Sequence, residues 1–109
     1  MNKTWSLFLD DERFPSDSLE NVEDWIIARS VEDAKYYINK LGIPYRMSLD
    51  HDLGENVPTG YDFLLWLIDY DLDGMCDIKN ITSFYVHSQN PVGSMNMNCL
   101  YKNFLSQKQ

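Results

Sequence analysis

Trp5-Ser6-Leu7-Phe8-Leu9-Asp10-Asp11-Glu12-Arg13 is the stretch on which the reading of the whole chain turns. A short apolar run ends without transition in four charged residues, as a buried strand does where it leaves a sheet for a polar loop. The same edge recurs twice. Tyr45 to Leu49 exits into Asp50-His51-Asp52-Leu53-Gly54, and Ile81 to Val86, rich in β-branched and aromatic residues, exits into His87-Ser88. Trp25-Ile26-Ile27-Ala28 reads as one more strand, closed by Arg29. Between it and the first strand, Phe14 to Asp24 is polar, holds Pro15 and several serines, and reads as a loop with room for one helical turn.

Helices fill the remaining intervals. Ser30, with Asp33 three residues on, precedes Ala34, Tyr37, Ile38 and Leu41 at helical spacing, and Gly42 follows, so the pattern predicts a helix over 31–41. Thr59 reads as the cap of a second helix with a broad apolar face from Tyr61 to Tyr70, stopped by Asp71 to Gly74. After Asn90-Pro91-Val92-Gly93-Ser94, the residues Met95, Cys99, Leu100 and Phe104 give one face of a last helix. The order β-β-α-β-α-β-α favours a parallel sheet with covering helices, because each helical crossover returns the chain in the same strand direction. With 109 residues, there is room for one domain over 1–109 and a single core.

Composition narrows the function. Nine Lys and Arg against seventeen Asp and Glu give a net charge of -8, which repels a polyanion and excludes long duplex nucleic acid as a partner. A small phosphate-containing ligand or nucleotide remains open, because a bound cation reverses the local field. Cys76 and Cys99 lie far apart with no zinc-type spacing, which points to free thiols in the cytoplasm. The longest apolar run, Phe63 to Ile68, is too short to span a membrane, and the N-terminal apolar run is too short for a signal-peptide core.

In an open parallel sheet all exit loops share one edge, beyond the carboxyl ends of the strands. The chemistry-bearing residues of this chain fall there. Asp10, Asp11, Asp50 and Asp52 are candidate metal ligands, since carboxylates gathered in a part-buried place raise one another's pKa or require a cation. Oxygen donors suit Mg²⁺ first; the two histidines make Mn²⁺ an alternative, and zinc is disfavoured because carboxylates outnumber nitrogens. His51, His87 and Asp52 are candidate catalytic groups, the histidines because they titrate near neutral pH. Arg13, Ser88, Asn90 and Gly93 are candidate phosphate-binding residues. Plain alternatives accompany each: solvated acids, a hydrogen-bonded His at the sheet edge, an ordinary turn at Asn90–Gly93, a salt bridge for Arg13, and a helix tether for Arg29.

An acidic pair after the first strand, Asp52 after the third and Gly60 eight residues later resemble a response-regulator receiver. Leu7-Phe8-Leu9-Asp10-Asp11-Glu12-Arg13, Ser48-Leu49-Asp50-His51-Asp52-Leu53-Gly54, Thr59-Gly60-Tyr61-Asp62 and His87-Ser88-Gln89-Asn90-Pro91-Val92-Gly93 are similar to the cyclic-phosphate processing receiver-like family, common in bacteriophages. The resemblance implies a small receiver-like (flavodoxin-like) three-layer α/β fold. It also implies a pocket that acts on phosphodiesters, such as cyclic phosphate ends of RNA or cyclic nucleotide signals. Only 21 residues follow Ser88, so about four strands are expected, the fifth is missing, and the lysine that ends it in receivers has no counterpart. The expected activity is a metal-assisted phosphoesterase acting on a small cyclic phosphate or nucleotide. The alternative is a binding protein that sequesters a nucleotide or engages a host defence protein, in the host cytoplasm if phage-encoded; phosphoryl acceptance at Asp52 ranks last.

Overall fold

The computed structural model describes residues 5–15 and 25–108. Four strands, β1 (Ser6–Leu9), β2 (Trp25–Ala28), β3 (Arg46–Leu49) and β4 (Ser83–Val86), form one sheet in the order β2-β1-β3-β4, every pair parallel. Three helices accompany it: α1 (Val31–Leu41), α2 (Gly60–Leu72) and α3 (Pro91–Gln107). This is the receiver-like α/β architecture expected. Because β1 lies between β2 and β3, the strand order reverses beside it, which is where sheets of this type open a crevice.

The predicted caps of α1 and α2 form. The Ser30 side chain accepts from Asp33 N–H, and Gly42, at φ 84°, closes α1 with its own N–H on Ile38 O. Thr59 and Asp62 make a reciprocal capping box for α2, and Asn90 caps α3 with Pro91 in its first turn, where a missing N–H costs nothing. Two strands start later than expected. Ile81 closes a short 3-10 turn, Ile78–Asn80, and the N–H groups of Thr82 and Ser83 both go to Tyr45 O, so β4 begins at Ser83 and β3 at Arg46.

Side chains alternate across a strand. Leu7 and Leu9 of β1, Ala28 of β2, and Met47 and Leu49 of β3 share one core with Val31, Ala34 and Ile38 of α1, Phe63, Leu64, Leu67 and Ile68 of α2, and Met97 and Tyr101 of α3. All three described helices therefore lie on one face of the sheet. Each fully buried leucine of this set contributes about 1.5–3 kcal/mol by leaving water. Ser6, Phe8, Trp25, Arg46 and Ser48 belong to the other face and are also buried. Among the described residues no helix covers that face, so the third layer of the expected fold is not seen there. The helical turn expected within Phe14 to Asp24 falls on residues 16–24, outside the described ones.

One expectation is corrected. Met95 is 66% exposed and Cys99 is exposed, while Gly93, Met97 and Tyr101 are the buried residues of α3. Gly93 lies against the loop leaving β3, and that contact sets the rotation of the helix, so the inward stripe is Gly93-Met97-Tyr101, with Leu100 and Phe104 beside it. The two cysteines are free, and among the described residues no helix is long and apolar enough to cross a membrane.

Candidate active site at the carboxyl ends of the strands

Strand register creates the site. Leu9 lies abreast of Leu49, and Leu49 abreast of Val86. The ladder continues one residue further: Asp10 N–H donates to Ala28 O (3.1 Å), Asp50 N–H to Leu9 O (2.9 Å) and His87 N–H to Leu49 O (3.0 Å). Since Leu9 and Leu49 point into the helix-covered core, the next side chains turn to the opposite face, on strands only about 4.8 Å apart. Asp10, Asp50 and His87 thus bring one ligand atom each to within 4.8 Å of one another.

Asp10 is fully buried, and both of its oxygens are engaged. Oδ1 accepts the N–H groups of Glu12 (2.9 Å) and Arg13 (2.8 Å), while Oδ2 meets Arg13 Nε (3.0 Å) and His87 Nε2 (3.1 Å). Burial pushes its carboxyl pKa up. The backbone N–H groups of Arg13 and Glu12, the His87 ring and the Arg13 charge outweigh that and hold it below the usual carboxylate range. An ionised carboxylate only accepts, so Nε2 of His87 carries the ring proton. Burial lowers the His87 pKa, against the opposing pull of Asp10 and Asp50, so the ring is neutral at pH 7 and its Nδ1 is an acceptor. Ser48 Oγ, 2.7 Å away, must therefore donate to Nδ1. The ring is also stacked on Phe8, with centroids 4.4 Å apart and planes 5° from parallel.

Ser48 is a site residue that the sequence reading missed. Its signal was a hydroxyl in the middle of Arg46-Met47-Ser48-Leu49, a strand buried throughout, where an unpaired polar group costs about 1–3 kcal/mol.

The cation that sits among the acids is Arg13. Its Nε faces Asp10 Oδ2 at 3.0 Å and its Nη2 faces Asp50 Oδ2 at 3.3 Å. Arg29 tethers the same loop: its Nη1 donates to Asp10 O (3.1 Å) and Arg13 O (2.7 Å), and its guanidinium lies over the Phe14 ring. The alternative stated for Arg29 was a tether to a helix; its side chain instead holds the loop that leaves β1.

His51 and Asp52 lie on the next part of the rim. His51 Nδ1 is 2.8 Å from Asp52 Oδ1, and the ring rests on Gly93, where a Cβ would come within 2.6 Å of it. Asp52 Oδ2 is 3.5 Å from Asn90 Nδ2. Asn90 and Gly93 are occupied in building the helix start: Gly93 N–H goes to Asn90 Oδ1 (2.9 Å), and Asn90 N–H to Ser88 Oγ (3.0 Å). Gly60 approaches even more closely, since a Cβ there would lie 1.9 Å from Asp50 O.

Above these residues opens a cleft of about 390 Å³, lined by Asp11, Glu12, Arg13, Asp50, Asp52, Gly54, Ser88 and Gln89. That volume suits a small ligand. Both acids of the third exit loop reach it, the Asp50 side chain at 6% exposure and that of Asp52 at 65%, so Asp50 is the inner one and Asp52 the outer. Asp11 lines the wall without joining the close group. Asn90, Gly93 and both candidate histidines, His51 and His87, are not among the lining residues, whereas Glu12, Gly54 and Gln89 are, and the sequence reading had passed over those three.

A parallel sheet whose reversed strand order opens an acidic cleft at its carboxyl edge defines a receiver-like domain. Within that class, the chain belongs to the cyclic-phosphate processing receiver domain family, whose sequence model matches residues 5–103, from the start of β1 into α3. No curated protein and no solved structure matches the chain.

Proposed function

We propose that the protein is a metal-assisted phosphoesterase acting on a small cyclic phosphate or nucleotide. The observation that carries this reading is the convergence of Asp10, Asp50 and His87 within 4.8 Å beside an open cleft. Two carboxylates and one imidazole fit a divalent ion, and the nitrogen donor moves the preference from Mg²⁺ toward Mn²⁺. When bound, such an ion polarises a phosphoryl oxygen and makes a water more acidic. The chain's own residues do the rest. Asp10, Asp50 and His87 would hold the ion, and Arg13 and Ser88, in the cleft wall with Asp11 and Asp52, would hold phosphate oxygens. With Nε2 of His87 turned from Asp10 to the ion and Nδ1 on Ser48, proton exchange with the leaving oxygen falls to His51, whose ring Asp52 orients through Nδ1.

The test is hydrolysis of a panel of 2′,3′- and 3′,5′-cyclic nucleotides with Mn²⁺ or Mg²⁺. Turnover of at least one member is expected, lost with a chelator and in Asp10→Asn, and lowered roughly 10²–10⁴-fold in His51→Ala. No hydrolysis of any member with either metal rejects the enzyme. One observation favours a second reading. Asp10 already has four partners and Arg13 already neutralises the acids, a resting network that suits a protein that binds a nucleotide or a host protein without turnover. Phosphoryl acceptance at Asp52 has less support, because the described cleft wall carries Arg13 and no lysine.

A further inference from the structure

We infer that Arg13 occupies the seat of the divalent ion, so that guanidinium and metal exclude one another, and that the displaced Arg13 becomes the phosphate clamp. The inference rests on the metal reading above and assigns an order to it.

A carboxylate offers about four lone-pair positions. Asp10 uses all of them: two on the N–H groups of Glu12 and Arg13, one on Arg13 Nε and one on His87 Nε2. The oxygen of Asp50 bonded to Arg13 is Oδ2, at 3.3 Å, and the oxygen of Asp10 bonded to Arg13 is likewise its Oδ2. An ion joining Asp10 to Asp50 through these atoms meets the guanidinium in its own place. Two cations in one seat repel, so one must leave.

Arg13 is built to leave. Its side chain is 44% exposed and lines the cleft, while its backbone is pinned by N–H on Asp10 and by its carbonyl on Arg29. Only side-chain torsions need change. A released guanidinium stays at the cleft wall with its donors free, and two of them match two oxygens of a phosphate. Metal binding therefore creates the anion site, and by linkage the anion tightens the metal to the same degree.

Titration calorimetry and electron paramagnetic resonance with Mn²⁺, on the full chain and on Arg13→Gln, test this with and without inorganic phosphate. Arg13→Gln is expected to bind Mn²⁺ at least tenfold more tightly than the unaltered chain. Phosphate is expected to tighten Mn²⁺ in the unaltered chain and not in the variant. Equal or weaker Mn²⁺ binding by a folded Arg13→Gln overturns the exclusion and leaves the metal reading standing; no Mn²⁺ binding by either protein overturns both. Should the variant fail to fold, the Arg13 Nε–H resonance of the unaltered chain decides. Loss of its exchange protection on adding saturating Mg²⁺ supports displacement, and an unmoved, protected resonance overturns it.

Discussion

The Ser48 hydroxyl lies 2.7 Å from one nitrogen of His87 and the Asp10 carboxylate 3.1 Å from the other, so a single ring is held neutral between a donor and an acceptor. This has a measurable consequence. Burial sets the His87 pKa below its unfolded value of 6.5, and the hydrogen bonds of Asp10 set its own below 3.8. A depressed folded pKa means stability that is complete above the unfolded pKa and lost as pH falls through the folded one. Unfolding free energy should hence begin to drop as pH goes below 6.5, with a slope of at most about 1.4 kcal/mol per pH unit from this ring, and drop again below 3.8 as Asp10 protonates. Urea unfolding of the protein and of His87→Asn between pH 7.5 and 5 checks it; identical slopes in the two would rule out the assignment. At this scale the sequence was legible in residue type and illegible in parity. Apolar runs ending in Asp10, Asp50 and His87 announced an acidic edge. Which of Asp10 and Asp11, or of Asp50 and Asp52, lies inward depends on strand pairing, which a single strand's letters do not contain.

Elements meet through glycines at two places, where α2 and where α3 start against the loop leaving β3. A Cβ on Gly60 would stand 1.9 Å from Asp50 O, and that atom is backbone, fixed by the sheet, so it cannot yield as a flexible side chain would. Gly60→Ala should destabilise by about 1–3 kcal/mol or more through overpacking and should displace Asp50 with it. Chemical denaturation together with amide shifts of residues 50–52 measures both effects; a variant of unchanged stability would mean that α2 shifts freely against β3. Gly93 is the corresponding contact for α3, under the His51 ring. Helix α1 was readable to the residue, because Ser30, Asp33 and Gly42 are local signals that cap it without help from the rest of the chain. The inward face of α3 was not. Its weak amphipathicity admits two stripes, and the choice is made by Gly93 packing on a loop some forty residues earlier in the sequence.

Over the whole molecule, the charge of -8 is gathered partly at one end of the sheet, where Asp10, Asp11, Asp50 and Asp52 surround a single neutralising arginine among the described residues of the cleft wall. The parallel order and the placement of the acids followed from alternation and the crossover rule. No element covering the Phe8, Trp25 and Ser48 face could be read from the sequence, since the polar segment that precedes β2 carries no periodic signal, and among the described residues none is seen. An acidic end held together by one guanidinium makes folding stability answer to divalent ions in a particular way. A ligand that binds only the native state at about a hundred times its Kd adds roughly 2.7 kcal/mol, and for a chain of this size that raises the thermal midpoint by on the order of 10–20 °C. Mn²⁺ should produce a shift of that order, reduced by whatever energy the displacement of Arg13 requires. Sodium chloride at matched ionic strength only screens charges and should move the midpoint far less. Asp10→Asn should abolish the Mn²⁺ response while keeping the salt response, because it removes one ligand and leaves the remaining acids in place. Thermal unfolding followed by circular dichroism separates the two contributions. A Mn²⁺ shift reproduced by sodium chloride, or retained in full by Asp10→Asn, would show diffuse screening of an acidic surface in place of an ion seated between β1 and β3.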